Sequence, residues 1–163
     1  MTTWVNSDGL EVKFGTEQYD PSQGGALGNV GGDGELMEVI VRGDEVPTAD
    51  APINIDIQIP DGAFLDTATL YVTEAFLSAG AATLDLGIFS DDGDGTYTVV
   101  DADGIDAAVA KATLVADAKI VCDGALIGTT LDTNTRNLVL SYGFGTAAFT
   151  SGEARLVVKY RYQ

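Results

Sequence analysis

Ile53-Asn54-Ile55-Asp56-Ile57-Gln58-Ile59, halted by Pro60-Asp61-Gly62, alternates apolar and polar residues without a fault. Period-two alternation puts four branched apolar side chains on one face of a strand and three polar ones on the other. A helix would spread the same isoleucines around its circumference. Two further runs follow the same rule. Ala68-Thr69-Leu70-Tyr71-Val72-Thr73-Glu74 places Ala68, Leu70 and Val72 on one side, and Thr83–Phe89 does so with Leu84, Leu86 and Ile88. Ser78-Ala79-Gly80-Ala81 turns the chain between them. Three alternating strands separated by turn residues predict an all-β protein, an antiparallel β-sandwich or jelly roll.

Two more strands are predicted at the C-terminal end. Leu138, Leu140, Tyr142 and Phe144 alternate with Asn137, Val139 and Ser141, and Ala154, Leu156, Val158, Tyr160 and Tyr162 alternate with Arg155, Val157, Lys159 and Arg161. Arg155, Lys159 and Arg161 make a basic stripe, read either as a solvated edge or outer face or as a contact with an acidic neighbouring subunit. One short helix is expected over Ala107–Val115, capped by Asp101-Ala102-Asp103-Gly104, because Ile105, Ala108, Val109, Ala112 and Ala116 recur at helical spacing. Ala118–Val121 and Gly124–Gly128 read as short strand or turn pieces, and Asp132-Thr133-Asn134-Thr135 as a loop.

Residues 1–50 differ from the rest. Trp4–Leu10 reads as a short extended piece with an Asp-Gly turn, Leu10, Val12 and Phe14 alternate, and Tyr19–Gly34 holds Pro21, Gly24-Gly25 and Gly31-Gly32. So many glycines make unaided folding of that stretch costly in backbone entropy. The expected organisation is an extended N-terminal arm with a glycine-rich loop over 1–50 and a sandwich over 51–163. Within the arm, Leu36–Val41 resumes a strand and remains open to assignment to the sandwich. Trp4, with Leu10 and Phe14, would anchor the arm either on its own sandwich or on a partner. Arg42-Gly43-Asp44, in a chain this rich in Gly and Asp, is expected by chance.

Composition narrows the function. The chain has 163 residues, 45% hydrophobic, enough for one domain with a real core. No run reaches the roughly 18 apolar residues of a membrane-spanning helix, and the start lacks a signal-peptide pattern, so synthesis in a cytoplasm is expected. Cys122 is the sole cysteine, flanked by Ile120 and Val121, and reads as a buried small hydrophobe. There is no histidine, which removes the commonest general base and transition-metal ligand. Catalytic triads and ordinary zinc sites are excluded, and no cofactor is expected. Acids are abundant enough to supply a glycosidase pair, but nothing singles one out.

The formal net charge is −17, and residues 1–103 hold 20 acids against 2 bases, whereas 104–163 hold 5 against 6. Such a surface repels nucleic acid and anionic membranes. Ser90-Asp91-Asp92-Gly93-Asp94-Gly95 has the look of a calcium loop, with Asp92 and Asp94 as weak candidate ligands. Counted as an EF-hand from Asp92, however, Tyr97 stands where glycine is needed and Asp103 where a bidentate Glu is usual. A hairpin turn between Leu84–Phe89 and Thr96–Val100 accounts for the same residues and is preferred.

A resemblance adds what composition cannot. Ile59–Phe64, Ala68–Val72, Ala75-Phe76, Leu86-Gly87-Ile88, Asp101–Ile105, Gly124–Gly128 and Thr150–Arg155 running into Val157–Tyr160 resemble small head proteins of tailed bacteriophages, the capsid decoration or cement proteins. The likeness covers about residues 50–162, in pattern and spacing. It implies a β-sandwich or jelly roll with an N-terminal arm, placed on the capsid exterior, often trimeric, that locks neighbouring major capsid subunits and has no catalytic residues. The alternative is a lectin-like or receptor-binding jelly roll of a phage fibre or surface protein, in which Tyr19, Tyr71, Tyr97, Tyr142, Tyr160 and Tyr162 would furnish a sugar platform.

Overall fold

A computed structural model describes residues 2–5, 11–14, 35–53, 58–91, 93–131 and 137–161. The chain divides into two compact units, Met1–Asp33 and Gly34–Gln163. In the first, strands β1 (Thr2–Val5) and β2 (Glu11–Phe14) pair antiparallel, Thr2 opposite Phe14 and Val5 opposite Glu11. The second is a sandwich of nine strands: β3 (Glu35–Arg42), β4 (Ala51–Pro52), β5 (Gln58–Ile59), β6 (Phe64–Leu77), β7 (Thr83–Asp91), β8 (Tyr97–Ala110), β9 (Lys119–Val121), β10 (Leu138–Gly145) and β11 (Ser151–Arg161). One sheet runs β3-β11-β6-β9; the other runs β4-β10-β7-β8, with β5 also on β10. Every pairing is antiparallel.

The alternation read from the sequence sets the inward faces. Ala68, Leu70 and Val72 of β6 and Ala154, Leu156 and Val158 of β11 are buried against Leu84, Leu86 and Ile88 of β7 and Leu138 and Leu140 of β10. Burying each large aliphatic side chain contributes about 1.5–3 kcal/mol. The turn after Leu77 carries the chain from one sheet to the other, because β6 and β7 lie in different sheets. Lys111 Nζ holds that crossing by donating to the carbonyls of Ser78 and Gly80. Phe76 and Phe149 close this end edge-to-face, with ring centroids 5.3 Å apart.

Three expectations need correction. Residues 107–115 form no α-helix. Tyr97–Ala110 is a strand whose Val109 and Ala110 lie opposite Leu84 and Thr83, and only Lys111–Thr113 makes a 3-10 turn. Ile105 and Val109 are both buried, and a separation of four residues puts two side chains on one face of a helix and equally of a strand. The spacing could not separate the two, and pairing with β7 decided. Asp101–Gly104 is likewise not a helix cap. The register between β7 and β8 slips between Leu86 and Ile88, and this stretch bulges out of the strand. A Cβ on Gly87 would collide with the backbone of Asp101 and Ala102, so only glycine leaves room for the bulge.

The third correction concerns the domain boundary. Glu35–Arg42 belongs to the sandwich, paired with β11 from Arg42 opposite Glu153 to Glu35 opposite Tyr160. The compact unit begins near residue 34 instead of 51.

The run that opened the reading also behaves differently at its ends. Pro52 lies opposite Ser141 and Gln58 opposite Val139, so six steps along this segment answer to two along β10. Ile59 is fully buried and Ile53 packs against the core, while Ile55 and Ile57 lie outside the described residues, as do 132–135. Val139 and Ser141, expected on a polar face, are both buried, on a strand paired with β4 and β5 on one side and β7 on the other.

Candidate interaction surface

The outward side of the four-stranded sheet is a grid that the registers define. One row across it reads Ile40, Arg155, Tyr71, Lys119, and the next reads Glu38, Val157, Thr69, Val121. Leu36, Ile40, Tyr71 and Val121 are all exposed, Leu36 at 71% and Val121 at 66%. Single exposed aliphatics are ordinary on any protein surface; four on one sheet face are a candidate contact patch.

The same face gathers Arg42, Lys119, Arg155, Lys159 and Arg161, five of the eight cations in the chain. Each has a partner in its own sheet or turn. Arg155 grips Glu38 with two nitrogens, Nε at 2.9 Å and Nη2 at 2.6 Å, and that bond holds its guanidinium above its ordinary pKa. Arg42 lies 3.5 Å from Glu153 and 3.8 Å from Glu45, and Lys159 lies 3.8 Å from Asp66. Lys119 sits over the Tyr71 ring at 5.6 Å and Arg161 over the Phe64 ring at 4.6 Å. The basic stripe therefore lies on an interior strand, not at an edge, and is neutralised within the chain. The face is close to electrically neutral in a protein of charge −17.

The other side of the sandwich carries the acid. Asp85 lies on β7, Asp101, Asp103 and Asp106 on β8, and Asp50 just before β4. Burial, then the charges of Asp85 and Asp103, push the Asp50 carboxyl up from its usual range. Burial and a hydrogen bond with Asp103 do the same to Asp101. Burial and the Asp123 charge raise Asp106, partly offset by its hydrogen bond with Cys122. Cys122 is buried, and burial with the neighbouring Asp106 pushes its thiol up to about 12, so it is inert as a nucleophile near neutral pH.

The other predicted sites divide by location. Asp92 and Leu10 lie outside the described residues; the backbones of Trp4 and Phe14 fall in β1 and β2. The 90–96 segment is a hairpin turn joining β7 to β8, as read from the sequence, with Asp91 opposite Tyr97. In it, Asp91 Oδ1 accepts from the Gly93 amide and Asp94 Oδ1 from the Thr96 amide, both at 2.8 Å. Among the described residues no group of three or more His, Cys, Asp or Glu is gathered to hold a metal ion. Gly43 of the Arg-Gly-Asp tripeptide is buried against the Ser151 backbone and opens a 3-10 turn. The apolar members of the outward face, Leu36, Ile40 and Val121, were missed as surface residues because strand order alone decides which alternate side chains are left uncovered.

No protein-family model and no curated protein sequence matches the chain. Solved structures do. A chain of the capsid of Ralstonia phage GP4 superposes with a TM-score of 0.54 at 18% identity, over 84% of this chain and 89% of that one. This chain has a fold found in phage capsids. A chain of the cyanophage Pam1 capsid asymmetric unit gives 0.55 at 16% identity, over 93% of this chain and 94% of that one. At such identities the likeness is one of fold.

Proposed function

We propose that this chain is a structural virion protein, a decoration protein that binds the outer surface of a phage capsid as a homotrimer and stabilises contacts between major capsid subunits. The observation that carries the reading is a fold shared with a phage capsid chain over 93% of this chain and 94% of that one. A protein whose work is contact needs surface, not reactive groups. The neutral, partly apolar outward face of the four-stranded sheet supplies such a surface, and association requires about 800 Å² from each partner. Arg155, Lys159 and Arg161 would then set register against an acidic neighbour through charges they already share with Glu38 and Asp66. The unit Met1–Asp33, with Trp4, Leu10 and Phe14, acts as the arm that reaches the neighbouring subunit.

Co-sedimentation of the purified protein with capsids lacking it tests the proposal. Saturable binding is expected, lost on deletion of residues 1–33 while the sandwich keeps its strand signal in circular dichroism. Absence of binding by the full chain overturns the reading. Exterior placement is checked by protease digestion of bound protein on intact capsids.

A further inference from the structure

The sandwich has four open strand edges among its described residues, and three of them are blunted. The β9 edge is three residues long and carries Lys119. The edge beside β10 is made of β4 and β5, two residues each, with Pro52 in β4. The β8 edge is broken by register slips, and its Gly104 and Ile105 carbonyls are taken by the amides of Leu126 and Gly124. Short edges, Pro, Lys and bulges are the devices by which sheets avoid pairing with another chain.

The fourth edge, β3, has none of them. Glu35-Leu36-Met37-Glu38-Val39-Ile40-Val41-Arg42 pairs with β11 in one unbroken register, and no described residue pairs with its other side. It contains neither Pro nor Lys, and Leu36 and Ile40 stand exposed on it. An open groove lined by Val39, Ile40, Ile53 and Tyr142 together with Glu38, Arg42 and Glu45 lies beside it. Eight residues of regularly paired strand, mixed aliphatic and charged and unpaired on this side among the described residues, form a template for a further strand.

The occupant follows from the strand's own pattern. Laid antiparallel on a copy of itself and centred on Ile40, β3 sets Ile40 opposite Ile40 of the second copy and Glu38 opposite Arg42 of the second copy. On the inward face Val39 meets Val41. Directly opposed residues share a face, so only registers two places apart compete. Centring on Glu38 opposes two carboxylates, and centring on Val39 sets Glu38 against Ile40. The Ile40 register also extends charge alternation across the seam, because Glu38 is held by Arg155 and Arg42 lies beside Glu153. Opposite charges and matched aliphatics directly across a pair are the stabilising arrangement.

We infer that two copies of this chain associate through β3 about a two-fold axis at Ile40, joining their four-stranded sheets into one. The contact is isologous and goes beyond the virion reading, since a trimer needs a heterologous ring; the two combine as paired trimers. Sedimentation velocity of the full chain tests it. Wild type should give dimers, or hexamers where trimers form. Because residue 40 faces its own copy, Ile40→Lys and Ile40→Asp should each weaken the two-fold contact by about tenfold or more through like-charge opposition. An equimolar mixture should restore it, which also shows that both variants are folded. The inference fails if wild type shows only monomers or isolated trimers up to about 0.1 mM. It fails equally if either variant associates as wild type does, or if the mixture does not recover. Capsid co-sedimentation is read separately, and its failure with pairing intact overturns only the virion reading.

Discussion

The two sheets enclose one core but are built on different terms. The four-stranded sheet keeps β3 and β11 in a single register over eight residue pairs, with apolar side chains inward and a mixed surface outward. Each sheet has one unbroken ladder, β3–β11 in one and β10–β7 in the other, and one that slips register three times, β11–β6 and β7–β8. Among the described residues, only the five-stranded sheet buries residues such as Val139 and Ser141 on the side facing away from the core. An antiparallel sheet with one wet face leaves that face open to solvent or to a partner. The five-stranded sheet covers part of its outward side and accommodates the β8 bulge at Gly87.

The largest expected effect tests what the sheets have in common. Leu156→Ala and Leu86→Ala remove fully buried side chains from opposite sheets, and each should cost about 2–5 kcal/mol in denaturant unfolding. A much smaller loss for either would mean that its sheet does not share the core. Next is Gly87→Ala, which places a methyl group in the bulge of β8 and should cost about 1–3 kcal/mol. Thr69→Ala on the outward side of the four-stranded sheet should cost less than about 1 kcal/mol. Equal losses would erase the distinction between the sheets.

Ser141 sharpens the comparison from the other side. Its hydroxyl is fully buried with no hydrogen-bond partner among the described residues, so Ser141→Ala should leave stability unchanged or raise it by about 1 kcal/mol. Acidity supplies a smaller test. Asp50, Asp101 and Asp106 bind their protons more tightly in the fold than their usual value of 3.8. Their contribution to stability is complete below that value and is lost as pH rises through the raised ones. The melting midpoint should therefore climb as pH falls through these raised values toward 3.8, until other carboxylates protonate. Asp106→Asn should flatten that climb. The smallest effect belongs to the four-stranded sheet: Arg155→Gln breaks the exposed pair with Glu38, and the midpoint should move only at low salt.

Much of this architecture was legible. The inward residues of β6, β7, β10 and β11 follow from alternation alone, and the Asp-Gly run after Ser90 marked its hairpin. Where alternation misled, the cause was the ambiguity of short-range spacing. Ile105 and Val109 satisfy helix and strand alike, and the Ile53–Ile59 alternation carries no record of the six-to-two advance against β10. The stripe Arg155, Lys159 and Arg161 was visible as a stripe. Its partners Glu38, Asp66 and Phe64 are 117, 93 and 97 residues away in the chain, beyond the reach of any local pattern.

By itself the sequence determined strand character, the face each strand turns to the core, and an acidic, histidine-free surface without evident catalytic chemistry. Those properties depend on residues two to four places apart, and backbone geometry enforces them wherever the strand ends up. Tertiary structure alone decided which sheet each strand joins, that β11 is interior and β3 an edge, and that one face is neutral while the other is acidic. These follow from register between distant segments, where the burial of a shared core selects one arrangement among many that satisfy the same local alternation.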